Sequence, residues 1–492
     1  MTCILALDQS TSATKAILFE MTGRVLDKAT REHRQIYPQS GWVEHDAEAI
    51  WENVLAVIGD LMARNREHEA EISGVSIANQ RETILVWDRA TGRPLHHAIV
   101  WQDRRGDGIC QQLKAEGHEE MVRARTGLKI DTYFSGSKLR WVITEKPQIA
   151  AMLRDGRAVI GTMDSYLIHR LTGGAVFATD YTNASRTLLF DIGTLNWDAK
   201  LCELFSVPQS ALPEVRESAS AFGETDAGGI LRKPIPIVGV MGDSQASFFA
   251  QRCYEPGAAK ATFGTGTSVL LNIGSEFQPQ KEGTITALAS VWKGQPTYAS
   301  EGLINFSAAT ISWLKNQLRL IADAAEVESL ALAVADNGGV YFVPAFSGLS
   351  APYWSADARA AIVGMTAFTQ REHIVRAAQE AIAYQLRDVL DMMRGNTDVS
   401  LRALHADGGP TRNSFLMQFT ADITGVELNV SDVAEASAWG AAMNGLLGLG
   451  SVGSPADFAG LPRESRRFEP KMSAVEVKRL HDGWRAAVQR VL

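Results

Sequence analysis

The sequence predicts an α/β protein in which one pattern of strands and helices is used twice. Near the N-terminus, the apolar segment ILAL (residues 4–7) meets a polar corner, DQSTS (8–12), and the chain returns through KAILFE (15–20). A second strand, glycine and hydroxyl corner, and strand follow one another in AKATFGTGTSVLLNIG (259–274). Because helix–strand alternation follows each corner, both halves are typical of α/β folds.

The length supports two domains. At 492 residues the chain exceeds what one hydrophobic core usually serves. We place the boundary near residues 247–256, which gives a first domain at 1–249 and a second at 250–492.

In the first half, a third strand is expected in VLDKATREH (25–33). Asp46 is placed to cap a helix over residues 49–65, where apolar positions recur at three- and four-residue spacing. The remaining expected elements are a strand at 75–79, a hairpin that turns at 91–93, and helices from 104 to 171 interrupted by a strand at 158–162.

In the second half, a hairpin is expected to turn at Lys293–Gly294. Helical patterns cover residues 304–321 and 369–393, and the latter opens with Thr369 and Glu372 at the spacing of a capping box. The tail from about Gly450 is expected to be a surface loop that leads into a last helix at 475–492.

Composition excludes several classes of protein. The net charge of −8 gives no basic excess for a nucleic acid or an anionic membrane. No signal peptide or membrane-spanning stretch is indicated. The four cysteines lie far apart and form no C-x-x-C pair, so a zinc site or disulfide framework is not expected, and a reducing cytoplasm fits best.

The two corners suggest phosphate binding. The first combines the Asp8 carboxylate with hydroxyls and successive backbone N–H donors, and a carboxylate beside phosphate implies a divalent cation between them. The second corner (263–267) adds glycines that let the backbone approach a phosphate closely. A third segment, HADGGPTRNSFLMQF (405–419), offers a glycine turn suited to adenine or ribose. Each of these segments also fits an ordinary polar turn.

Asp243 is the candidate catalytic base. It follows the buried-type strand in PIPIVGVMG (234–242) and precedes a helix, which is where ligands bind in open α/β sheets. A hydroxyl that accepts a phosphoryl group needs a carboxylate to take its proton. A simple helix N-cap is the alternative interpretation.

Taken together, these segments resemble the glycerol kinase branch of the FGGY carbohydrate kinases, within the actin-like, ribonuclease-H-fold ATPases. The resemblance runs from the first corner to about Gly450. Its motifs are GWVEHD (41–46), NQRETILVW (79–87), AIVWQDRR (98–105), TGLKIDTYFSGSKLRW (126–141), DYTNASRTLLFDI (180–192), VPAFSGLSAPYW (343–354) and DGGPTRNSFLMQF (407–419). Residues 133–145 fit the first FGGY signature, and AAIVGMTAFTQREHIVRAAQE (360–380) fits the second apart from Gln379.

The resemblance implies two ribonuclease-H-like domains around a ligand cleft, with ATP and Mg²⁺ as cofactors. The expected metal ligands are Asp8 and Asp243. The expected nucleotide residues are Thr11, Ser12, Ala13, Lys15, Thr265, Ala308, Ser312, Gly409 and Asn413. Four of these depart from the family pattern: Ala13 replaces a hydroxyl residue, Lys15 an arginine, Ala308 a glycine and Ser312 a glutamine. We expect ATP binding to survive these changes.

On the acceptor side, the residues that match the glycerol-binding pattern are Arg81, Glu82, Trp101, Tyr133 and Asp243. Arginine donates, glutamate accepts and tyrosine does either, so hydroxyls can be paired in a buried site. Without the resemblance, Arg81–Glu82 would be interpreted as an exposed charge pair and Trp101 as a core aromatic. Ser244 and Ser268 stand where glycerol kinases carry a glutamine and a phenylalanine.

Those two exchanges remove volume from the acceptor side. The expected reaction is ATP-dependent phosphorylation of a terminal hydroxyl of a small polyol, glycerol in the first place. The alternative is a larger acceptor, such as erythritol, erythrulose or xylulose. Regulation by a sugar bisphosphate is doubtful, because the glycine-rich loop at residues 227–236 is only partly kept.

Two other classes of function remain open from the sequence. One is an actin- or chaperone-like ATPase that uses the cleft to change conformation, and the other is a silent sugar-binding relative. The acceptor residues argue against the first, and the presence of Asp8, Thr11, Thr265 and Asp243 argues against the second. A homo-oligomer, dimer or tetramer, is expected from relatives.

Overall fold

Two large mixed sheets, one in each half of the sequence, organise the chain. The structure is a computed structural model that describes residues 2–279, 283–355, 357–431, 435–461 and 465–492.

Elements of the first half lie between residues 3 and 250. The strands are β1 (Cys3–Gln9), β2 (Ala13–Glu20), β3 (Val25–Glu32), β4 (Gln35–Ile36), β5 (Glu44–His45), β6 (Ile72–Asn79), β7 (Ile84–Asp88), β8 (Ala98–Ile99), β9 (Ala158–Thr162), β10 (Ala178–Asp180), β11 (Phe190–Asp191), β12 (Asn196–Trp197), β13 (Glu214–Arg216), β14 (Glu224–Thr225) and β15 (Ile235–Gly242). The α-helices are α1 (Ala47–Arg64), α2 (Asp107–Ala115), α3 (Glu119–Thr126), α4 (Ser135–Glu145), α5 (Pro147–Arg154), α6 (Met163–Leu171), α7 (Tyr181–Ala184), α8 (Ala199–Leu204) and α9 (Asp243–Ala250).

Elements of the second half follow from residue 258. The strands are β16 (Ala258–Phe263), β17 (Thr267–Gly274), β18 (Ile285–Trp292), β19 (Gln295–Ile304), β20 (Tyr341–Val343), β21 (Ala361–Val363), β22 (Ala403–Asp407), β23 (Leu428–Ser431) and β24 (Ser465–Phe468). The α-helices are α10 (Ala308–Asn316), α11 (Val327–Leu332), α12 (Arg371–Asn396), α13 (Ser414–Thr424), α14 (Ala436–Gly448) and α15 (Ala474–Gln489), and short 3₁₀ helices lie at Glu69–Glu71, Gln209–Ala211, Ala324–Glu326, Gly409–Arg412 and Pro455–Gly460.

The two large sheets repeat one strand order. The first runs β14-β15-β6-β1-β2-β3, and the second runs β18-β19-β17-β16-β22-β23-β24. In each, an antiparallel meander (β1, β2, β3; then β16, β17, β19) continues into two parallel strands (β6, β15; then β22, β23). The prediction of an α/β pattern used twice is confirmed.

The first sheet is covered on both faces, which explains why its central strands are almost wholly apolar. Helix α1 packs its buried side chains on one face. Helix α14, from the last part of the chain, packs on the other, where Phe19 and Trp439 lie 5.3 Å apart between ring centroids. Helix α14 therefore contributes to the core of the first sheet although it lies in the predicted second domain. The boundary between residues 249 and 250 stays a prediction.

Three expectations about elements were wrong in detail. The helix expected over 304–321 is limited to Ala308–Asn316, because Ile304 belongs to β19. The capping box of α12 is formed by Gln370 and His373. The tail contains β24, which pairs with β23 and extends the second sheet.

Across the residues that the structure describes, no helix combines the length and the apolar character needed to span a bilayer.

Candidate active site

The first corner is a tight hairpin between β1 and β2. The Ser10 N–H and hydroxyl both donate to the Ala13 carbonyl, at 2.9 and 3.0 Å. Trp101 Nε1 donates to Thr11 Oγ1 at 3.0 Å, so the predicted acceptor wall contacts the predicted phosphate corner. Ser12 is exposed, whereas Ala13 is buried and has only backbone atoms to offer a ligand.

A cluster of charges lies beside this corner. Lys15 Nζ is 3.4 Å from Asp8 and 2.7 Å from Glu435, whose other oxygen pairs with Lys28 at 2.9 Å. Burial raises the pKa of Asp8 to about 6; Lys15 opposes the shift, and Asp243 adds to it. Lys15 therefore contacts two carboxylates, one of which also pairs with Lys28, beside the corner where phosphates are expected.

The second corner abuts the start of α10. The amides of Ser307 and Ala308 donate to the carbonyls of Thr265 and Gly264, at 2.9 and 3.0 Å. The third glycine segment packs directly on this corner, because a Cβ at Gly408 (φ +100°) would lie 1.9 Å from the Phe263 carbonyl. Only glycine permits both this approach and this backbone conformation.

A cavity of about 530 Å³ opens next to the glycine segment. It has the size of a small-molecule site. Four of the predicted nucleotide residues line it, namely Ala308, Ser312, Gly409 and Asn413, together with Ile311, Ala324, Ala325, Val327, Glu328, Gln379, Ile382, Pro410, Arg412 and Leu416. Asn413 caps α13 through the Leu416 amide and donates to Gln379 Oε1 at 2.6 Å.

The predicted acceptor residues gather near the end of β15. Arg81 Nε lies 3.5 Å from Asp243 and 3.7 Å from Glu82. The rings of Trp101 and Tyr133 meet edge to face, with centroids 5.4 Å apart. The charges of Arg81 and Glu82 also act on the Tyr133 hydroxyl, so the five residues, from four segments, form one cluster.

Asp243 is the first residue of α9, where the chain leaves β15. Its side chain is 36% exposed and so accessible to a ligand. The pKa of Asp243 is raised, chiefly because the surrounding protein removes solvent from the carboxyl. The charge of Arg81 and the Ser244 amide oppose that shift. A carboxyl of this kind is a stronger base than a solvated aspartate.

Ser244 and Ser268 lie next to each other beside Asp243. Their hydroxyl oxygens are 3.4 Å apart, and Lys260 Nζ donates to Ser244 Oγ at 3.2 Å. Burial lowers the pKa of Lys260, against the opposing charges of Asp407 and Asp243. The two serines that depart from the family pattern therefore form one hydroxyl-lined patch.

The sequence interpretation missed several charged residues of this region. They are Arg186, Glu301, Lys260 and Glu435, and the first three are almost completely buried. The available signal was a lone charge in an otherwise buried-type strand, as for Glu301 in QPTYASEGLI (295–304). Such a charge is almost always paired when buried.

Family comparisons cover nearly the whole chain. The N-terminal domain of the FGGY family of carbohydrate kinases matches residues 3–250, and the C-terminal domain of the same family matches residues 259–449.

Individual relatives are similar over their full length. The chain is 47% identical over 490 residues to a glycerol kinase of Koribacter versatilis, covering 99% of this chain and 98% of that protein. It is 44% identical over 489 residues to a glycerol kinase of Desulfitobacterium hafniense, covering 99% of both.

Solved structures share the architecture. The crystal structure of Plasmodium falciparum glycerol kinase with ADP superposes with a TM-score of 0.94 at 37% identity, covering 100% of this chain and 98% of that one. A ligand-bound xylulose kinase of Lactobacillus acidophilus gives a TM-score of 0.89 at 21% identity over 100% and 98% of the chains, a likeness of fold alone.

Proposed function

The chain belongs to the FGGY family of carbohydrate kinases, and from that premise we propose that it transfers the terminal phosphoryl group of ATP to a terminal hydroxyl of glycerol. The product is glycerol 3-phosphate. The chain is an ATP-dependent phosphotransferase, and the nearly full-length similarity to glycerol kinases supports glycerol as the acceptor. Family membership also removes the reason to regard it as a conformational ATPase.

One observation carries the proposal: a base, a hydroxyl-pairing group and a phosphate corner are contiguous. Arg81 contacts Asp243, and Trp101 contacts Thr11 of the first corner. An acceptor hydroxyl held by Arg81 and Glu82 would therefore lie beside both the base and the incoming phosphate.

Asp243 accepts the proton of the acceptor hydroxyl as the hydroxyl attacks the γ-phosphorus. The bond between that phosphorus and the β,γ-bridging oxygen breaks, and ADP leaves. Arg81 donates to one acceptor oxygen and Glu82 accepts from another, while Trp101 covers the carbon chain. Phosphoryl transfer depends mainly on such positioning and on charge stabilisation.

The nucleotide lies across both corners in this proposal. Its phosphates contact Thr11, Ser12 and the backbone at Ala13 and Thr265, with Lys15 as the nearby cation. Its adenosine occupies the cavity beside Gly409 and Asn413, a placement that the size of that cavity supports.

Magnesium fits the carboxylates of Asp8 and Asp243. They lie near enough for Asp243 to raise the pKa of Asp8, an effect that a bound cation would relieve. Mg²⁺ is commonly held by one or two carboxylates plus substrate phosphates. When bound, it neutralises charge that develops on the phosphoryl group. In the described part of the chain, no group of three or more His, Cys, Asp or Glu side chains is arranged to hold a metal without the nucleotide.

A larger acceptor is the second candidate, because Ser244 and Ser268 offer hydroxyls instead of bulk. A four-carbon polyol such as erythritol, or a ketose such as xylulose or erythrulose, could place its additional hydroxyl there. Hydroxyl-lined sites discriminate strongly among such substrates.

The cellular setting is part of the proposal. The four widely spaced cysteines suit a reducing cytoplasm. We also propose that the protein forms a homo-oligomer, either a dimer or a tetramer.

A coupled ADP-release assay tests the acceptor. It compares glycerol, erythritol, threitol, erythrulose and xylulose at fixed ATP and Mg²⁺, with phosphorylated products identified by ³¹P NMR. We expect the highest kcat/KM for glycerol. A higher kcat/KM for a four- or five-carbon compound would make that compound the acceptor in place of glycerol. No stimulation of ADP release by any polyol would reject the proposal.

A further inference from the structure

Four buried charges beside the predicted acceptor residues link the two halves of the chain. Arg81, Glu82 and Arg186 come from the first half of the chain, and Glu301 comes from β19 of the second sheet. Each is at most 5% exposed. The two positive and two negative charges balance, as buried charges must.

Glu301 is the centre of this cluster. Its Oε1 accepts from Arg81 Nη2 at 3.1 Å, and its Oε2 accepts from Arg186 Nη1 at 2.5 Å. Burial alone would raise the pKa of Glu301, but Arg186 and Arg81 outweigh it and lower the pKa to about 2. The carboxylate is therefore ionised and shared by both arginines.

Through Arg186 the same carboxylate reaches Glu82. Arg186 Nε donates to Glu82 Oε1 at 2.6 Å. Glu82 has a left-handed backbone (φ +61°), which an L side chain adopts only when its surroundings hold it there. The Ser135 hydroxyl fixes the Glu82 carbonyl at 2.9 Å, and Arg186 fixes the side chain. Arg186 Nη2 is a further donor, buried and without a partner in the described residues.

We propose that Glu301 is a positioning residue for the acceptor, holding Arg81 directly and Glu82 through Arg186. The inference rests on the proposed function, since it takes Arg81 and Glu82 as the residues that pair acceptor hydroxyls. Its consequence is that Arg81 and Glu82, both from the first half of the chain, are held in place by a carboxylate from the second half. Glu301 does not line the cavity proposed for the nucleotide.

The test is Glu301→Gln, which keeps the shape and removes the charge. Losing charge-assisted hydrogen bonds to two arginines should raise the KM for the acceptor by about 10- to 100-fold. The KM for ATP should stay within about twofold of the wild-type value, because Glu301 does not line the cavity proposed for the nucleotide. The matched control is Glu255→Gln, the same exchange at an exposed position of the second half.

A double-mutant cycle with Arg186→Gln checks the route to Glu82. Coupling predicts that the double variant has an acceptor KM close to that of the worse single variant, whereas independent roles would multiply the two effects. Equal rises in both the acceptor KM and the ATP KM, or an unchanged acceptor KM in Glu301→Gln, would overturn the inference.

A second readout does not depend on which acceptor is used. Hydrogen–deuterium exchange should accelerate in Glu301→Gln at the segment 79–84 and not across the sheets. If the wild type fails to phosphorylate glycerol or any polyol, the proposed function falls, while local acceleration would still support the positioning role. Acceleration throughout the protein, or none at 79–84, would reject that role.

Discussion

At the scale of single residues, the chemistry converges on Asp243, which is accessible and contacted by Arg81. Its raised pKa, caused first by burial, makes it a better proton acceptor than a surface aspartate. In the proposed mechanism, the surrounding residues mainly orient the acceptor and the phosphates.

Asp243→Asn should reduce kcat by about 10²–10⁴-fold, the range expected when a general base is lost. Binding of a fluorescent ATP analogue without Mg²⁺ should change little, because Asp243 does not line the cavity beside Asn413 that is proposed for adenosine. Asp155→Asn, at an exposed position, serves as the control. Retained turnover would remove Asp243 from the role of base.

Ser268→Phe should shift preference toward glycerol. Ser268 lies in β17 with its hydroxyl 3.4 Å from that of Ser244, so a phenylalanine would fill the hydroxyl-lined patch. The ratio of kcat/KM for glycerol to that for erythritol should rise by about tenfold or more. Ser268→Ala removes the hydroxyl and leaves the space, so a smaller shift in this variant separates the effect of bulk from the loss of the hydroxyl. An unchanged ratio would show that Ser268 does not determine which acceptor is preferred.

The two corners, the glycine segment and the candidate base are predictable from local sequence, whereas the other acceptor residues are predicted only through the family resemblance. The structure brings Arg81, Glu82, Trp101, Tyr133 and Asp243 close together, and it lines a cavity with four expected nucleotide residues. Arg186 and Glu301 could not be found in this way, because their pairing crosses 115 positions of the sequence.

At the scale of elements, the nucleotide cavity depends on how α13 begins. Asn413 caps this helix and also donates to Gln379 on α12, so one side chain fixes two walls of the cavity. Gln379, which departs from the second FGGY signature, thus has a structural role, because its side chain accepts this hydrogen bond from Asn413.

Asn413→Ala should weaken ATP binding. Loss of a helix N-cap costs about 1 kcal/mol, which is about a fivefold change in affinity if the cavity wall moves with the helix. The ATP dissociation constant, measured by calorimetry, should rise while acceptor KM is unchanged. Ser473→Ala removes the cap of α15 and should leave ATP affinity as it was. Equal effects of both variants would contradict the special role of Asn413.

Element types were predictable and their ends were less so. The corners and long amphipathic helices carry strong periodicity, whereas α10 begins late because Ile304 completes a strand of the second sheet. That pairing is a tertiary contact, and local propensity does not report it.

At the scale of the whole molecule, stability depends on buried histidines as well as on the two cores. His45 is fully buried, its ring centroid lies 4.7 Å from that of His33, and burial lowers its pKa to about 3. A histidine with a lowered folded-state pKa stabilises the fold above its unfolded pKa of about 6.5 and loses that contribution as pH falls.

His45→Gln should therefore change the pH dependence of stability. Relative to the wild type, the variant's free energy of unfolding should improve by up to about 2 kcal/mol between pH 7.5 and pH 5. Urea unfolding at both pH values measures this difference, and the comparison cancels opposite contributions from buried aspartates such as Asp164. A difference that does not vary with pH would contradict a neutral, buried His45.

The central claim is that the cleft brings a triphosphate and an acceptor hydroxyl together at Asp243. A crystal structure with a non-hydrolysable ATP analogue, Mg²⁺ and glycerol tests it most directly. We expect the terminal phosphorus and a primary hydroxyl about 3–3.5 Å apart, with that hydroxyl hydrogen-bonded to Asp243. A terminal phosphate bound away from Asp243, with no glycerol between them, would contradict it.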